Sequence, residues 1–342
     1  MFITGICKYR DLSAFTSGNY ITDLSMDPEY GTLLGYTEDE IKSYFGSYLE
    51  LAAGSLGIGV NECFEKLKSY YDGFCFDLAS STHVFVPWSV LSFLSAPKSG
   101  FMNYWFESGG RSTVLLNFMR NHSLRDPAEY GQDRVMSIMD VSSSRGIDDF
   151  SDVILLNQTG YLTIKRREGF SLILNYPNEE VAESMALLYR NRLFGDRDPD
   201  SLFNLPVTSL FERYPVEEIP QKLNVIFKGL DYKNYPLKDE SSLRAYLQIY
   251  LYGLGASVIS ERHNAYGAYG RTDLEFNAGN RHFVIELKYA RVEDDPKKLL
   301  EEVAGQIQKR HYGEHEPGRR ELVRIVLVFS GAQRSFVQSR IV

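Results

Sequence analysis

The stretch Gly270-Arg271-Thr272-Asp273-Leu274-Glu275-Phe276, followed after a short gap by Phe283-Val284-Ile285-Glu286-Leu287-Lys288-Tyr289, decides how the last third of the chain is read. Both runs alternate polar and apolar residues, the two-residue period of a half-buried strand. His282, Val284, Glu286 and Lys288 share one face of the second run, and Phe283, Ile285, Leu287 and Tyr289 share the other. In the first run Arg271, Asp273 and Glu275 face one way, opposite Thr272, Leu274 and Phe276. Two residues of strand rise set Glu286 and Lys288 roughly 7 Å apart on one side. The link Asn277-Ala278-Gly279-Asn280 is turn chemistry, so an antiparallel hairpin is expected. Asp273 and Glu286 then converge from neighbouring strands with Lys288 beside them. Two carboxylates and a lysine suit a magnesium ion, a phosphate and an activated water.

The flanking segments complete an order. Residues 239–254 read as a helix with Leu243, Tyr246, Leu247, Tyr250, Leu251 and Leu254 on one stripe, followed by a strand from Ser257 to Glu261. An aromatic loop, His263 to Gly270, precedes the hairpin; its Tyr266 and Tyr269 suit base stacking or a plain turn equally. Pro296 opens a helix through Leu299, Leu300, Val303, Ala304 and Ile307, and the apolar run Leu322 to Phe329 reads as a buried strand. Strand, helix, strand implies a right-handed crossover between parallel neighbours. Glu240 falls on the buried stripe of its helix, where a carboxylate needs a partner, a metal or a lysine. The plain alternative is an acid favoured by the helix N-terminus. Gln306 is expected on the inward side of its helix, lining the same cleft or satisfied by backbone. Glu275 reads as structural. His311 and His315 have metal-compatible spacing, but Gly313 and Pro317 between and after them favour a solvated helix end.

Upstream, Phe2 to Ile6 reads as a strand, as though the chain began inside a domain. Thr37-Glu38-Asp39-Glu40 is a capping box opening a helix with Ile41, Tyr44, Phe45 and Tyr48 at helical spacing. Further helices are expected from Asn61 to Tyr71 and, after Pro87, from Trp88 to Leu94. The pattern weakens over 97–150, with a loop at Ser142 to Asp149. A helix ending at Gly160, then two strands about Gly169, suggests a winged-helix-like unit over about 150–190. Asn178 caps a long helix through Val181, Met185, Leu188 and Tyr189. Proline-bearing polar stretches put a boundary between about 215 and 237, with 216–236 as linker.

At 342 residues, with 44% hydrophobic and 13% aromatic content, the chain has the size of two or three globular domains. Its net charge of -8 argues against a basic coat for nucleic acid. From Arg281 to Val342, 12 Lys and Arg stand against 9 Asp and Glu, so that end carries +3 and the rest -11. Cys7, Cys63 and Cys75 have no ligand-like spacing and read as reduced thiols of a cytoplasmic protein. No apolar run has membrane-spanning length, and no membrane partner is expected.

Asp273, Glu286-Leu287-Lys288, the helical Glu240 and the element order resemble the PD-(D/E)XK nuclease superfamily. The phrase Gly270-Arg271-Thr272-Asp273, with Ile285-Glu286-Leu287-Lys288-Tyr289 and Gln306-Ile307, resembles its branch at the C-terminus of AAA-ATPase-like bacterial proteins. Phe2-Ile3-Thr4-Gly5-Ile6-Cys7-Lys8, Tyr70-Tyr71-Asp72-Gly73-Phe74, Pro87-Trp88-Ser89-Val90-Leu91, Asn103-Tyr104-Trp105-Phe106 and Thr159-Gly160-Tyr161-Leu162 are similar to that ATPase-like domain. The resemblance implies an α/β chain. Residues 1–215 would be an AAA-ATPase-like region with helical and winged-helix-like parts, and 237–342 a restriction-endonuclease-like αβββαβ domain on a mixed sheet. It implies a nuclease acting on nucleic acid, DNA above RNA, with magnesium or manganese held by Asp273, Glu286, the Leu287 carbonyl and Glu240 through water. Lys288 and Gln306 would complete the catalytic set. The sequence departs from the family in having no Gly-x-x-x-x-Gly-Lys-Ser/Thr, so the phosphate-binding half of the ATPase module is missing and no ATP hydrolysis is expected. An interaction or regulatory module with protein partners is the competing expectation.

Overall fold

The computed structural model describes residues 24–106, 108, 115, 126–141, 151–194, 206–256, 258–260, 272–310 and 320–342. They divide into two compact units, one ending at Met185 and lacking Asp126–Tyr130, the other made of Asp126–Tyr130 and Ala186–Val342. The expected strand at residues 2–6, the loop at 142–149, Arg271, Tyr266, Tyr269, His311 and His315 lie outside the described residues.

The first unit opens with α1 (Glu38–Leu56), whose Thr37 hydroxyl accepts from the Glu40 amide while the Glu40 carboxylate accepts from the Thr37 amide. Helices α2 (Val60–Tyr71) and α3 (Pro87–Ser95) follow as expected. Ile41, Leu49, Leu67, Tyr71, Phe85, Val90 and Phe93 form the core between them. Tyr44 and Tyr48 do not join it; both are exposed, because Ile41, Leu49, Ala52 and Ala53 carry the inward stripe. The weakly patterned stretch contains an unexpected short strand, β1 (Arg134–Ser137), with only Met136 buried. Helix α4 (Asp152–Gln158) leads into the expected hairpin β2 (Thr163–Glu168) and β3 (Ser171–Asn175), and β1 pairs antiparallel with β3. The Asn178 side chain caps α5 (Glu179–Phe194) by accepting from the Val181 amide at 3.0 Å.

The boundary between the units falls inside α5. The stretch expected as a linker instead carries α7 (Ile219–Phe227), after α6 (Val207–Arg213), with Ile219, Leu223, Ile226 and Phe227 buried. Phe227 meets Phe329 and Phe336, while Phe211 packs edge-on against Phe276 and Phe283. Prolines at 206, 215 and 220 therefore start helices rather than mark a loose connection.

Helix α8 (Glu240–Tyr252), strands β4 (Val258–Ser260), β5 (Leu274–Ala278) and β6 (Arg281–Ala290), helix α9 (Pro296–Arg310) and strand β7 (Glu321–Ser330) reproduce the expected order. The sheet runs β4-β5-β6-β7-β8; β6 and β7 are parallel and the other neighbours antiparallel. The extra strand β8 (Ser335–Ile341) covers the outer edge of β7. Asn277 and Ala278 belong to β5, so the hairpin turn is only Gly279-Asn280. Gly279 has φ of 57°, a left-handed backbone that favours glycine in this two-residue turn. Helix α9 lies on the sheet face bearing Val284 and Ala290, where Leu300, Val303, Ala304, Ile307, Val326 and Val328 form a second core.

Candidate active site

The β5–β6 register sets Leu274 opposite Ile285, which carries Asp273, one residue before β5, to a position opposite Glu286. Both carboxylates are buried, each 8% exposed. Asp273 Oδ2 accepts from the Leu287 amide at 2.8 Å. A strand residue's N–H and C=O point to the same edge, so the Leu287 carbonyl also faces the end of β5. Burial, then the neighbouring Asp273 within hydrogen-bonding range, pushes the Glu286 carboxyl up to about 9. Like charges this close disfavour ionisation of both carboxyls, a cost that a bound cation would offset. One of its oxygens, Oε1, is buried without a hydrogen-bond partner among the described residues.

The lysine is positioned from the helix. Lys288 Nζ donates to both oxygens of Glu240, at 3.0 and 2.9 Å. Of the two partners that the sequence leaves open for Glu240, metal or lysine, the structure supplies the lysine. The expectation that Glu240 is buried fails, since its side chain is 38% exposed at the first turn of α8. One turn further on, Arg244 Nη1 lies 3.5 Å from Asp273 Oδ1. Sequence reading overlooked Arg244; the available signal was its place four residues after Glu240, on the same helix face. Gln306 lies within α9, but its side chain is outside the described residues. Glu275 is buried on the Asp273 side of the hairpin, accepting from Thr272 Oγ1 at 2.9 Å with His282 Nε2 at 3.7 Å. That is a structural role.

The site fits a hard divalent ion by its chemistry. Two carboxyl groups facing each other across the hairpin, one with a buried oxygen lacking a partner among the described residues, and a carbonyl on the same edge offer oxygen donors to a cation. Among the described residues no group of three His, Cys, Asp or Glu side chains is placed to hold a metal. The donor set is therefore two carboxylates and backbone, with Glu240 engaged elsewhere.

Residues 238–339 match the PD-(D/E)XK nuclease superfamily. That stretch is a nuclease-superfamily domain. It contains α8, the sheet strands β4 to β7, helix α9 and nearly all of β8, hence every residue of the notch. The nucleases of this superfamily generally use magnesium or other divalent metals. The chain is also 29% identical over 194 residues to an uncharacterized protein encoded in the vnfD 5′ region of Azotobacter chroococcum mcd 1. The alignment covers 55% of this chain and 34% of that relative, so the chain spans about a third of its length. No solved structure matches. No described helix is long and apolar enough to cross a membrane.

In the first unit, the Pro87–Leu91 and Asn103–Phe106 segments converge on a buried carboxylate. Glu180 Oε1 accepts from the amides of Tyr104 and Trp105 at 2.7 and 2.8 Å, and Oε2 accepts from Ser89 Oγ at 2.8 Å. Asn103 Nδ2 donates to Ser184 Oγ, and Tyr71 exchanges hydrogen bonds with the backbone of Met102. Glu180 is fully buried, and burial pushes its carboxyl up to about 7. These residue types in the Pro87–Leu91 and Asn103–Phe106 motifs thus serve folding.

Proposed function

We propose that residues 237–342 form a divalent-metal-dependent phosphodiesterase acting on nucleic acid, with DNA as substrate. The observation that carries this reading is the register placing Asp273 opposite Glu286, with Lys288 two residues along the same face. Asp273, Glu286 and the Leu287 carbonyl would hold magnesium or manganese. The ion supplies Lewis-acid activation of water and of a phosphate oxygen. Lys288, held by both oxygens of Glu240, orients the attacking water by donation and offsets negative charge on the phosphate. Gln306 is assigned an auxiliary place in the cleft. Residues 1–215 are read as the ATPase-like region, supported by motif resemblance alone.

Lys288→Ala is expected to keep the wild-type unfolding midpoint and to abolish magnesium-dependent cleavage of DNA. Asp273→Asn is expected to lose ion binding as well as cleavage. Cleavage that persists in Lys288→Ala removes this lysine from the mechanism. Wild-type protein that binds no divalent ion even with DNA present leaves the competing reading, a non-catalytic interaction module, which the folding role of the Glu180 motifs favours.

A further inference from the structure

Lys288 and Tyr289 are neighbours in β6, so strand alternation sends their side chains to opposite faces of the sheet. Both nevertheless reach the short segment that opens α8. Lys288 Nζ donates to the Glu240 carboxylate, and the Tyr289 hydroxyl donates to the Leu237 carbonyl at 3.0 Å. The start of the helix is thus held to β6 at two points, one on each side of its cap residue Asp239.

The two attachments differ in stiffness. The Lys288 and Glu240 side chains are 28% and 38% exposed, and a pair of long side chains in contact with water holds its geometry weakly. The tyrosine is held more firmly. Its ring stacks on Phe329, its register partner in β7, with centroids 6.1 Å apart, and Leu237 is buried. Gly331, whose amide donates to the Ala290 carbonyl at 3.0 Å, leaves room for the phenol; a Cβ there would overlap the hydroxyl. From Leu237 to Glu240 the chain is itself braced. Asp239 Oδ1 accepts from the Ser242 amide at 2.8 Å, and Ser242 Oγ accepts from the Lys238 and Asp239 amides at 3.0 and 3.1 Å. What fixes Leu237 therefore fixes Glu240.

We infer that Tyr289 is a positioning residue of this site: its hydroxyl holds the start of α8 so that Glu240 keeps Lys288 aimed at the notch between Asp273 and Glu286. This inference rests on the nuclease reading of that notch. It gives the tyrosine no contact with ion or substrate, because its side chain leaves β6 on the face opposite Lys288.

The test uses the full chain in a magnesium-dependent cleavage assay on a DNA duplex, run well below the unfolding midpoint of each variant. Tyr289→Phe keeps the ring and its stack on Phe329 and removes only the hydroxyl. It is expected to lower kcat roughly three- to tenfold, with KM for the duplex within about twofold of wild type. A tyrosine that served only the sheet would lower the unfolding midpoint and leave kcat of the folded protein unchanged. Combination with Glu240→Gln decides the route. The double variant should be no slower than Glu240→Gln alone, because the hydroxyl then holds a side chain that no longer grips the lysine. Gly331→Ala, which intrudes on the space of the hydroxyl, should lower kcat in the same direction and carries the test if the phenylalanine variant does not fold. Native-state hydrogen exchange gives a readout free of turnover: the Ser242 and Leu243 amides should exchange roughly three- to tenfold faster in Tyr289→Phe. Unchanged kcat, fully multiplicative losses in the double variant, or unchanged exchange at these amides each overturns the inference. Wild type that cleaves no duplex in magnesium or manganese overturns the nuclease reading itself, and the exchange rates still decide whether the hydroxyl holds α8.

Discussion

Replacing Glu180 tests whether the Pro87–Leu91 and Asn103–Phe106 segments that meet it serve folding rather than chemistry. The Glu180 carboxyl has its ordinary value near 4.5 in the unfolded chain and about 7 in the folded protein, burial being the largest cause. Between those two pH values the folded protein keeps a proton that the unfolded chain has released. Stability from this group is therefore complete below pH 4.5, falls as pH rises, and levels off above about 7. At about 1.4 kcal/mol per pH unit, the total loss is on the order of 3 kcal/mol. Glu180→Gln keeps one oxygen for the Tyr104 and Trp105 amides and lets the Ser89 hydroxyl turn to accept from the new NH₂ group, so it should fold and remove that slope. Glu183, also pushed to about 7 by burial, adds a slope of its own. The informative quantity is thus the difference between wild type and Glu180→Gln, from urea unfolding at half-unit steps over pH 4–8. Glu180→Ala, by contrast, orphans two buried amides at about 1–3 kcal/mol each at every pH. Identical pH slopes for wild type and Glu180→Gln, together with an alanine variant as stable as wild type, would refute the structural role.

Other consequences are more local. Glu240→Gln should lower kcat by about tenfold by loosening Lys288, while manganese affinity measured by calorimetry stays within error; a parallel fall in affinity would make Glu240 a metal ligand after all. Gly279→Ala should cost about 1 kcal/mol, since it meets a left-handed backbone; an unchanged thermal midpoint would show that the turn adapts freely. Arg340→Ala removes an exposed, solvent-screened ion pair to Glu301 and should leave the chemical-unfolding midpoint within error of wild type.

Much of the nuclease-like unit was legible in the sequence because its information is local. Alternation over residues 270–289 fixes which side chains share a face, and strict pairing then brings Asp273 to Glu286 once the turn is short. The capping box at Thr37, the cap at Asn178 and the first-turn proline Pro87 were equally readable, each depending on residues within one helical turn. Strands β1 and β8 escaped because each is an edge strand, held by its partner's backbone more than by an apolar period of its own. Residues 216–236 escaped because proline-bearing polarity looks alike in a linker and at helix starts; only the packing of Phe227 on Phe329 and Phe336 separates them.

The sequence by itself determined the hairpin, the shared face of Glu286 and Lys288, and the presence of an acid at the start of α8, since all three follow from periods of two and 3.6 residues. Tertiary structure alone decided that Glu240 meets the lysine, that Arg244 approaches Asp273, and that burial raises the Glu286 carboxyl. Those outcomes depend on how far apart α8 and two strands come to rest and how little water remains between them, and neither quantity is written in the spacing of residues along a chain.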